Sequence, residues 1–234
     1  MVKRSRKSKA KPKTLRPMRW VTRAVLLIVA VVFLIVLLFS LINPPTTLYM
    51  WKEGQRLGGV KHEWASWDEI APVMARSAVA AEDANFCLHW GFDMGAIRAA
   101  IDEGGNRGAS TLSQQVVKNV FLWHGRNYTR KAAEAVITPM VELVWSKRRI
   151  LEVYLNVAEF DEGVFGIKAA AAHYFAVEPS GLTPVQAARL AAVLPDPKGR
   201  NAETPTARLR KRSASILDGA ETIRRDGRAA CFAQ

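Results

Sequence analysis

Cysteine is nearly absent from this chain: there are two in 234 residues, Cys87 and Cys231. That count excludes the multi-bridge framework that staples small secreted domains. The two are far apart in sequence, so the expectation is two unpaired or buried thiols, with pairing open to them only in an oxidising compartment. Histidine is scarce as well. His62, His89, His124 and His173 are scattered, with no metal-ligand spacing, so no protein metal site is predicted. No stretch shows strong period-two alternation and no repeat recurs, which argues against sandwiches, barrels and solenoids. Residues 1–23 contain no acidic residue at all.

That last absence locates the charge. The formal net charge is +13, which taken alone points to nucleic acid. Residues 1–23 hold ten of the 34 basic residues, and taking them away leaves 24 basic against 21 acidic, or +3. The excess therefore belongs to a tail, and no nucleic-acid partner is expected. The tail is poor in apolar residues and suits anionic lipid headgroups.

Residues 24–42 follow, nineteen positions without a charge or a proline. A helix of that length spans about 28 Å, close to the hydrocarbon thickness of a bilayer. Such a helix satisfies its own backbone hydrogen bonds in lipid. The basic flank predicts a cytoplasmic N-terminus, with the remainder outside the cytoplasmic membrane. Trp20 on one side, and Tyr49 with Trp51 on the other, suit interfacial anchors. The apolar run is longer than a signal-peptide core of about 7–15 residues, and Ser40–Pro45 offers no small-residue cleavage site, so an uncleaved single-pass anchor is expected.

The remaining pattern is mostly α, with room for a minor hairpin. Asn43-Pro44-Pro45 breaks the anchor helix, and 43–68 reads as a membrane-proximal segment. The domain proper is expected over 69–234. Periodicity predicts a helix from about Glu69 to Asp83, and another over 111–123 with Ser110 as N-cap. Further helices are predicted over 129–146 with a kink at Pro139, 147–157, 163–175, from Thr183-Pro184 to Pro195, and 206–225.

Three polar blocks interrupt this apolar patterning. The first is Glu82-Asp83-x-x-Phe86-x-x-His89-Trp90-Gly91-Phe92-Asp93. The second runs from Arg107 through Gly108-Ala109-Ser110-Thr111 to Gln114, Gln115, Lys118 and Asn119. The third is Arg130-Lys131-x-x-Glu134, followed by Arg148 to Asn156. Thr111, Gln114 and Lys118 fall on one helical face. The helix N-terminus after Gly108, together with Lys118, Arg130 and Lys131, favours an anion such as a diphosphate. Glu82 and Glu134 are carboxylates of the kind that deprotonate an attacking hydroxyl. Spacing alone leaves a second reading open, in which these blocks are charged, solvated surface. His89 and Asp83 read as structural, and Glu152 as an ion-pair partner of Arg148 or Arg149.

The blocks resemble the motifs of the peptidoglycan glycosyltransferase family. The first corresponds at Glu82, Asp83, Phe86, His89, Gly91 and Asp93, the second from Gly108 to Asn119, and the third at Arg130, Lys131 and Glu134. A fourth corresponds at Ile150, Leu151, Glu152, Tyr154, Leu155 and Asn156, and EFDEGVFGIKAAAAHYF extends it. The resemblance covers about residues 60–200 and is similar to the monofunctional biosynthetic subgroup. It implies a lysozyme-like helical lobe with a small membrane-associated lobe. It implies Glu82 as general base and Glu134 as the second essential glutamate. Lys118, Arg130 and Lys131 correspond to residues that hold the diphosphate, and Ser110, Gln114 and Asn119 to residues lining the cleft. The implied substrates are lipid II and the growing glycan strand. The implied setting is the bilayer with other wall-synthesis and division proteins. No cofactor is required by the sequence, although a divalent cation, magnesium or manganese, assists at the diphosphate in some members.

Two other enzyme or protein classes fit less well. A strand-cutting muramidase would not need the diphosphate-binding blocks, and a non-catalytic scaffold would tolerate loss of Glu82 and Glu134. Ser8-x-x-Lys11 matches an acyl-enzyme nucleophile pattern, but it lies in the tail with no partner motif. No transpeptidase domain is expected after Gln234.

Overall fold

A computed structural model describes residues 16–104, 108–125 and 127–233. Most of the basic tail, and Arg107 at the head of the second polar block, lie outside them.

Helix α1 (Arg16–Leu41) is long and apolar enough to cross a bilayer and contains the predicted apolar run except Ile42. Most of its apolar side chains are exposed, among them Leu26, Leu27, Ile28 and Leu34. Only its last turns touch the body, where Val36 is buried and Phe39 meets Phe121. Trp145 Nε1 donates to the Val36 carbonyl at 2.8 Å. Arg149 closes the helix end, donating to Phe39 O at 3.1 Å, Ile42 O at 2.8 Å and Asn43 Oδ1 at 2.9 Å. A guanidinium is suited to this because the last carbonyls of a helix lack partners and carry partial negative charge.

The body is helical. After α2 (Leu48–Leu57) and strand β1 (Lys61–His62) come α3 (Pro72–Glu82), α4 (Met94–Asp102), α5 (Leu112–Phe121), α6 (Tyr128–Val144) and α7 (Lys147–Val157). Strands β2 (Glu159–Asp161) and β3 (Val164–Phe165) follow, then α8 (Ile167–Phe175), α9 (Pro184–Val193) and α10 (Ala207–Arg225). The mostly-α expectation holds, and α6 runs through Pro139 as one helix. Buried apolar residues of α3, α5, α7, α8 and α9 form one core, with Met74, Leu112, Ile150, Leu155, Ile167 and Leu190 fully enclosed.

Three expectations are corrected. The helix predicted from Gly163 begins only at Ile167. Gly163 (φ +71°) and Gly166 (φ +80°) break it, and Val164–Phe165 between them pairs in parallel with β1 and antiparallel with β2. A side chain at position 166 would collide with the Asn156 carbonyl, so that turn needs glycine. Next, the cap of α5 is Thr111, not Ser110. Thr111 Oγ1 accepts from Gln114 N and Gln114 Oε1 accepts from Thr111 N, which is a reciprocal capping box. Last, the cysteines are joined. Cys87 and Cys231 form a disulfide with Cα atoms 5.7 Å apart, because folding brings the chain end against the loop after α3.

Outside the core, Leu88, Trp90, Met94 and Ile101 are exposed on α4 and the loop before it. Of α4, only Ala100 is buried.

Candidate active site

Glu82 ends α3, and the residue after it sets its position. Asp83 is buried; its Oδ2 accepts from Leu112 N at 2.9 Å, and its Oδ1 lies 2.9 Å from His89 Nε2. A carboxylate at the first N–H of α5 satisfies an orphan donor and complements the helix dipole. Thr111 Oγ1 donates to Gly91 O at 2.7 Å. Gly91 has φ +85°, and a Cβ there would lie 2.7 Å from a Thr138 methyl, so only glycine fits. Lys147 Nζ donates to His89 O and to Glu142 Oε1, both at 2.8 Å, and Glu142 also accepts from Ser113. Asp83 and His89 thus tie the first block to the start of α5. Glu152 pairs with Arg149 at 2.8 Å, as expected.

This scaffold brings Glu82 beside α5. Gln115 Nε2 donates to Glu82 Oε2 at 3.0 Å. The other oxygen, Oε1, faces Arg212 Nη2 at 3.7 Å. Burial pushes the Glu82 carboxyl above the ordinary range, while the Gln115 hydrogen bond and the charges of Arg212, Lys118 and Arg200 oppose it. Lys118 lies one turn beyond Gln115 on α5. Its ammonium is pushed down by burial and by Arg130 and Lys131, against the opposing pull of Glu134 and Glu82. No hydrogen bond or ion pair of Lys118 occurs among the described residues. Tyr154 is enclosed near Glu82, and burial with the nearby Glu82 charge pushes its phenol well above its usual value.

Glu134 anchors the cationic group. It is buried; Oε2 accepts from Arg130 Nη1 at 2.6 Å and Oε1 pairs with Lys131. Lys131 Nζ also donates to Ser110 Oγ at 3.3 Å, which brings the second and third blocks together. The i, i+3 and i, i+4 spacing of these three residues on α6 makes the double pairing automatic.

Two hollows hold residues of these blocks. One, of about 200 Å³, is lined by Glu82, Asn85, Asp93 and Ser110. The other, of about 310 Å³, is lined by Tyr49, Gln115, Lys118, Asn119, His124 and Lys198. His124 stacks on Tyr49 with ring centroids 3.7 Å apart, and its Nε2 lies 3.0 Å from Asn119 Oδ1. Desolvation, reinforced by Lys118 and Arg130, pushes the His124 imidazole down to about 4. Tyr49 donates to Glu159 at 2.7 Å. It is thus turned into the cleft instead of acting as an interfacial anchor, whereas Trp51 is exposed.

Of the eight predicted site residues, Glu82, Arg130, Lys131 and Glu134 all lie close enough to Lys118 to act on its charge, Ser110 is bonded by Lys131, and Asn119 lines the same hollow as Lys118. Gln114 is instead buried in the capping box, and its neighbour Gln115 reaches Glu82. Gln115 was legible as part of the second block, but helix phase alone did not separate it from Gln114. Arg212 and His124 carried no sequence signal.

The transglycosylase family model matches residues 52–221. The chain belongs to the transglycosylase family. A biosynthetic peptidoglycan transglycosylase of Jannaschia sp. (strain CCS1) is 55% identical over 238 residues, covering 100% of both chains. Proteins of the same description from Pseudomonas fluorescens (strain SBW25) and Xanthomonas campestris pv. campestris (strain B100) are 49% and 48% identical. They cover 83% and 86% of this chain, and 85% and 86% of their own lengths. The transglycosylase match includes all four sequence blocks and most of α10, but stops short of Cys231.

Proposed function

We propose that Glu82 is the general base of glycan polymerisation and that Lys118, Arg130 and Lys131, organised by Glu134, receive the departing diphosphate. The overall activity is peptidoglycan glycosyl transfer in cell-wall synthesis, and the protein is a glycosyltransferase. It polymerises lipid II into β-1,4-linked strands and releases undecaprenyl diphosphate.

In this scheme the 4-hydroxyl of the acceptor N-acetylglucosamine gives its proton to Glu82. Its oxygen bonds to the anomeric carbon of the donor N-acetylmuramic acid as the bond from that carbon to the diphosphate oxygen breaks. A single displacement inverts the α-linked donor to a β product. Burial of Glu82 strengthens it as a base once ionised, since the raised carboxyl holds a proton more firmly. The leaving diphosphate gains negative charge, and fixed cations aimed at it lower the barrier.

The observation that carries this reading is the hydrogen bond from Gln115 to Glu82 on the same helix that presents Lys118. It joins a buried carboxylate to a cationic cluster across one cleft. Among the described residues no group of three or more His, Cys, Asp and Glu side chains suits a metal. Glu134 is already engaged by Arg130 and Lys131, so the residues present do not fit a protein-held cation. A magnesium or manganese ion is proposed only as a companion of the diphosphate oxygens, and no step is routed through it.

The membrane placement supported best is a single span by α1, with the basic N-terminus in the cytoplasm and the cleft outside the cytoplasmic membrane. The basic flank supports that orientation, and the Cys87–Cys231 bridge suits an oxidising compartment. The exposed residues of α4 would form a small membrane-associated lobe near the lipid tails of the substrate. Other wall-synthesis and division proteins are proposed as neighbours on the same setting.

The test uses detergent-solubilised full-length protein and labelled lipid II. Wild type is expected to yield polymer that lysozyme digests, and Glu82→Gln to yield none while remaining folded. Polymer from Glu82→Gln would overturn the assignment of the base.

A further inference from the structure

The C-terminal part of the chain reaches back to the catalytic carboxylate at several points. Helix α10 packs along α3 closely enough that a Cβ on Gly219 would lie 3.2 Å from that of Ala80. Nearer its start, Arg212 Nη2 donates to Ala81 O at 3.4 Å and faces Glu82 Oε1 at 3.7 Å. Farther on, Arg228 Nη1 donates to Ala84 O at 3.2 Å. Cys231 is bridged to Cys87, and buried Phe232 sits 6.4 Å from the Phe86 ring. Residues 212–232 thus grip residues 81–87 by a guanidinium on each side of the loop, a covalent bond and an aromatic contact.

The guanidinium of Arg212 stays in place at a local cost. Its Nε is buried without a hydrogen-bond partner among the described residues. Orphaned buried donors are unfavourable, and they persist mainly where another requirement overrides them. Here the other end of the group meets the one oxygen of Glu82 that Gln115 does not hold.

We propose that Arg212 is a positioning residue for the transfer reaction, holding Glu82 in its ionised, proton-accepting form and fixing its Oε1. The inference rests on the reading of Glu82 as base. The groups facing Glu82 are Gln115 and Lys118 from α5, Tyr154 from α7, Arg200 from the segment after α9, and Arg212 from α10. Gln115 is neutral, and Tyr154 keeps its proton. Asp83, the neighbour in sequence, is turned toward His89 and Leu112. Arg200 is held by the Ala192 carbonyl at 2.8 Å. Lys118 belongs to the diphosphate end of the cleft, so a bound diphosphate neutralises the support it lends to Glu82. Arg212 approaches the Glu82 oxygen that Gln115 leaves free, and in this proposal its support does not depend on the diphosphate.

The deciding experiment is the pH dependence of kcat/KM for lipid II polymerisation by the full-length protein, comparing wild type, Arg212→Gln and Arg212→Lys, with thermal midpoints alongside. An opposite charge at this range shifts a carboxyl by about one unit or more. Arg212→Gln is therefore expected to move the acid limb upward by about one unit and to lower the rate on that limb about tenfold, with recovery at higher pH. Arg212→Lys is expected to restore most of the rate and the limb. An unmoved limb, or a loss uniform across pH, would overturn the inference. If Arg212→Gln does not fold, Arg212→Lys decides: near-wild-type activity supports the role, and uniform depression across pH removes it. Glu82→Gln keeps the two readings apart. Activity in that variant sinks the base assignment itself, whereas an inactive Glu82→Gln with an unshifted Arg212→Gln sinks only the role of Arg212.

Discussion

Gln115 and Gln114 are adjacent on α5 and have unrelated tasks: Gln115 Nε2 donates to Glu82 Oε2 at 3.0 Å, while Gln114 Oε1 accepts from the Thr111 backbone at 3.1 Å. Gln115→Ala is expected to cut kcat with little change in thermal midpoint. Gln114→Ala is expected to lower the midpoint by a few degrees, the consequence of losing about 1 kcal/mol of capping, with kcat nearly kept. Steady-state kinetics and calorimetry on both variants check the division. Equal effects from both would contradict it.

Glu82 should be a liability for stability. Its folded-state carboxyl is raised, chiefly by burial. Folded and unfolded forms are both protonated at low pH, so no penalty exists there. As pH rises past the unfolded value, the unfolded chain releases its proton first, and stability falls until the folded value is passed. Glu82→Gln should therefore have a thermal midpoint equal to or above wild type at neutral pH, and a gap that closes in acid. A midpoint well below wild type at neutral pH would contradict the burial argument.

Lys118→Ala should raise KM for lipid II and also lower kcat, because in the proposed scheme its ammonium holds the diphosphate while its charge also reaches Glu82. Removing a cation near Glu82 pushes that carboxyl further up, so the acid limb of the rate profile should also move to higher pH. A changed KM with an unmoved limb would confine Lys118 to substrate binding.

The Cys87–Cys231 bridge closes a loop with a sequence separation of 144 residues. Bridges of this kind contribute about 2–4 kcal/mol. Cys87→Ser, or treatment with a dithiol, is expected to lower the thermal midpoint by about 10 °C in a protein of this size. Non-reducing electrophoresis after alkylation verifies the bridge directly. Free thiols in protein recovered from the membrane would show that it does not form there.

Much of this protein follows from local chemistry, and local chemistry is written in order along the chain. Helix α1 is legible because its long uncharged run has the length and composition of a membrane span, and α9 because Thr183-Pro184 starts it and the chain turns at Pro195. The pairing of Glu134 with Arg130 and Lys131 needs only helical spacing, so it too could be read from sequence.

What sequence left open was settled by contacts between distant segments. The phase of α5, which decides whether Gln114 or Gln115 meets Glu82, depends on Thr111 serving as the cap, and that cap is secured by the Gly91 carbonyl. The strands at 61–62 and 164–165 are too short to show alternation, and exist because they find each other. Arg212 reaches Glu82, and Cys231 reaches Cys87, only because α10 lies along α3. Residue type and spacing encode interactions within a few turns, whereas long-range partners depend on how complete helices pack, which leaves no periodic trace in the chain.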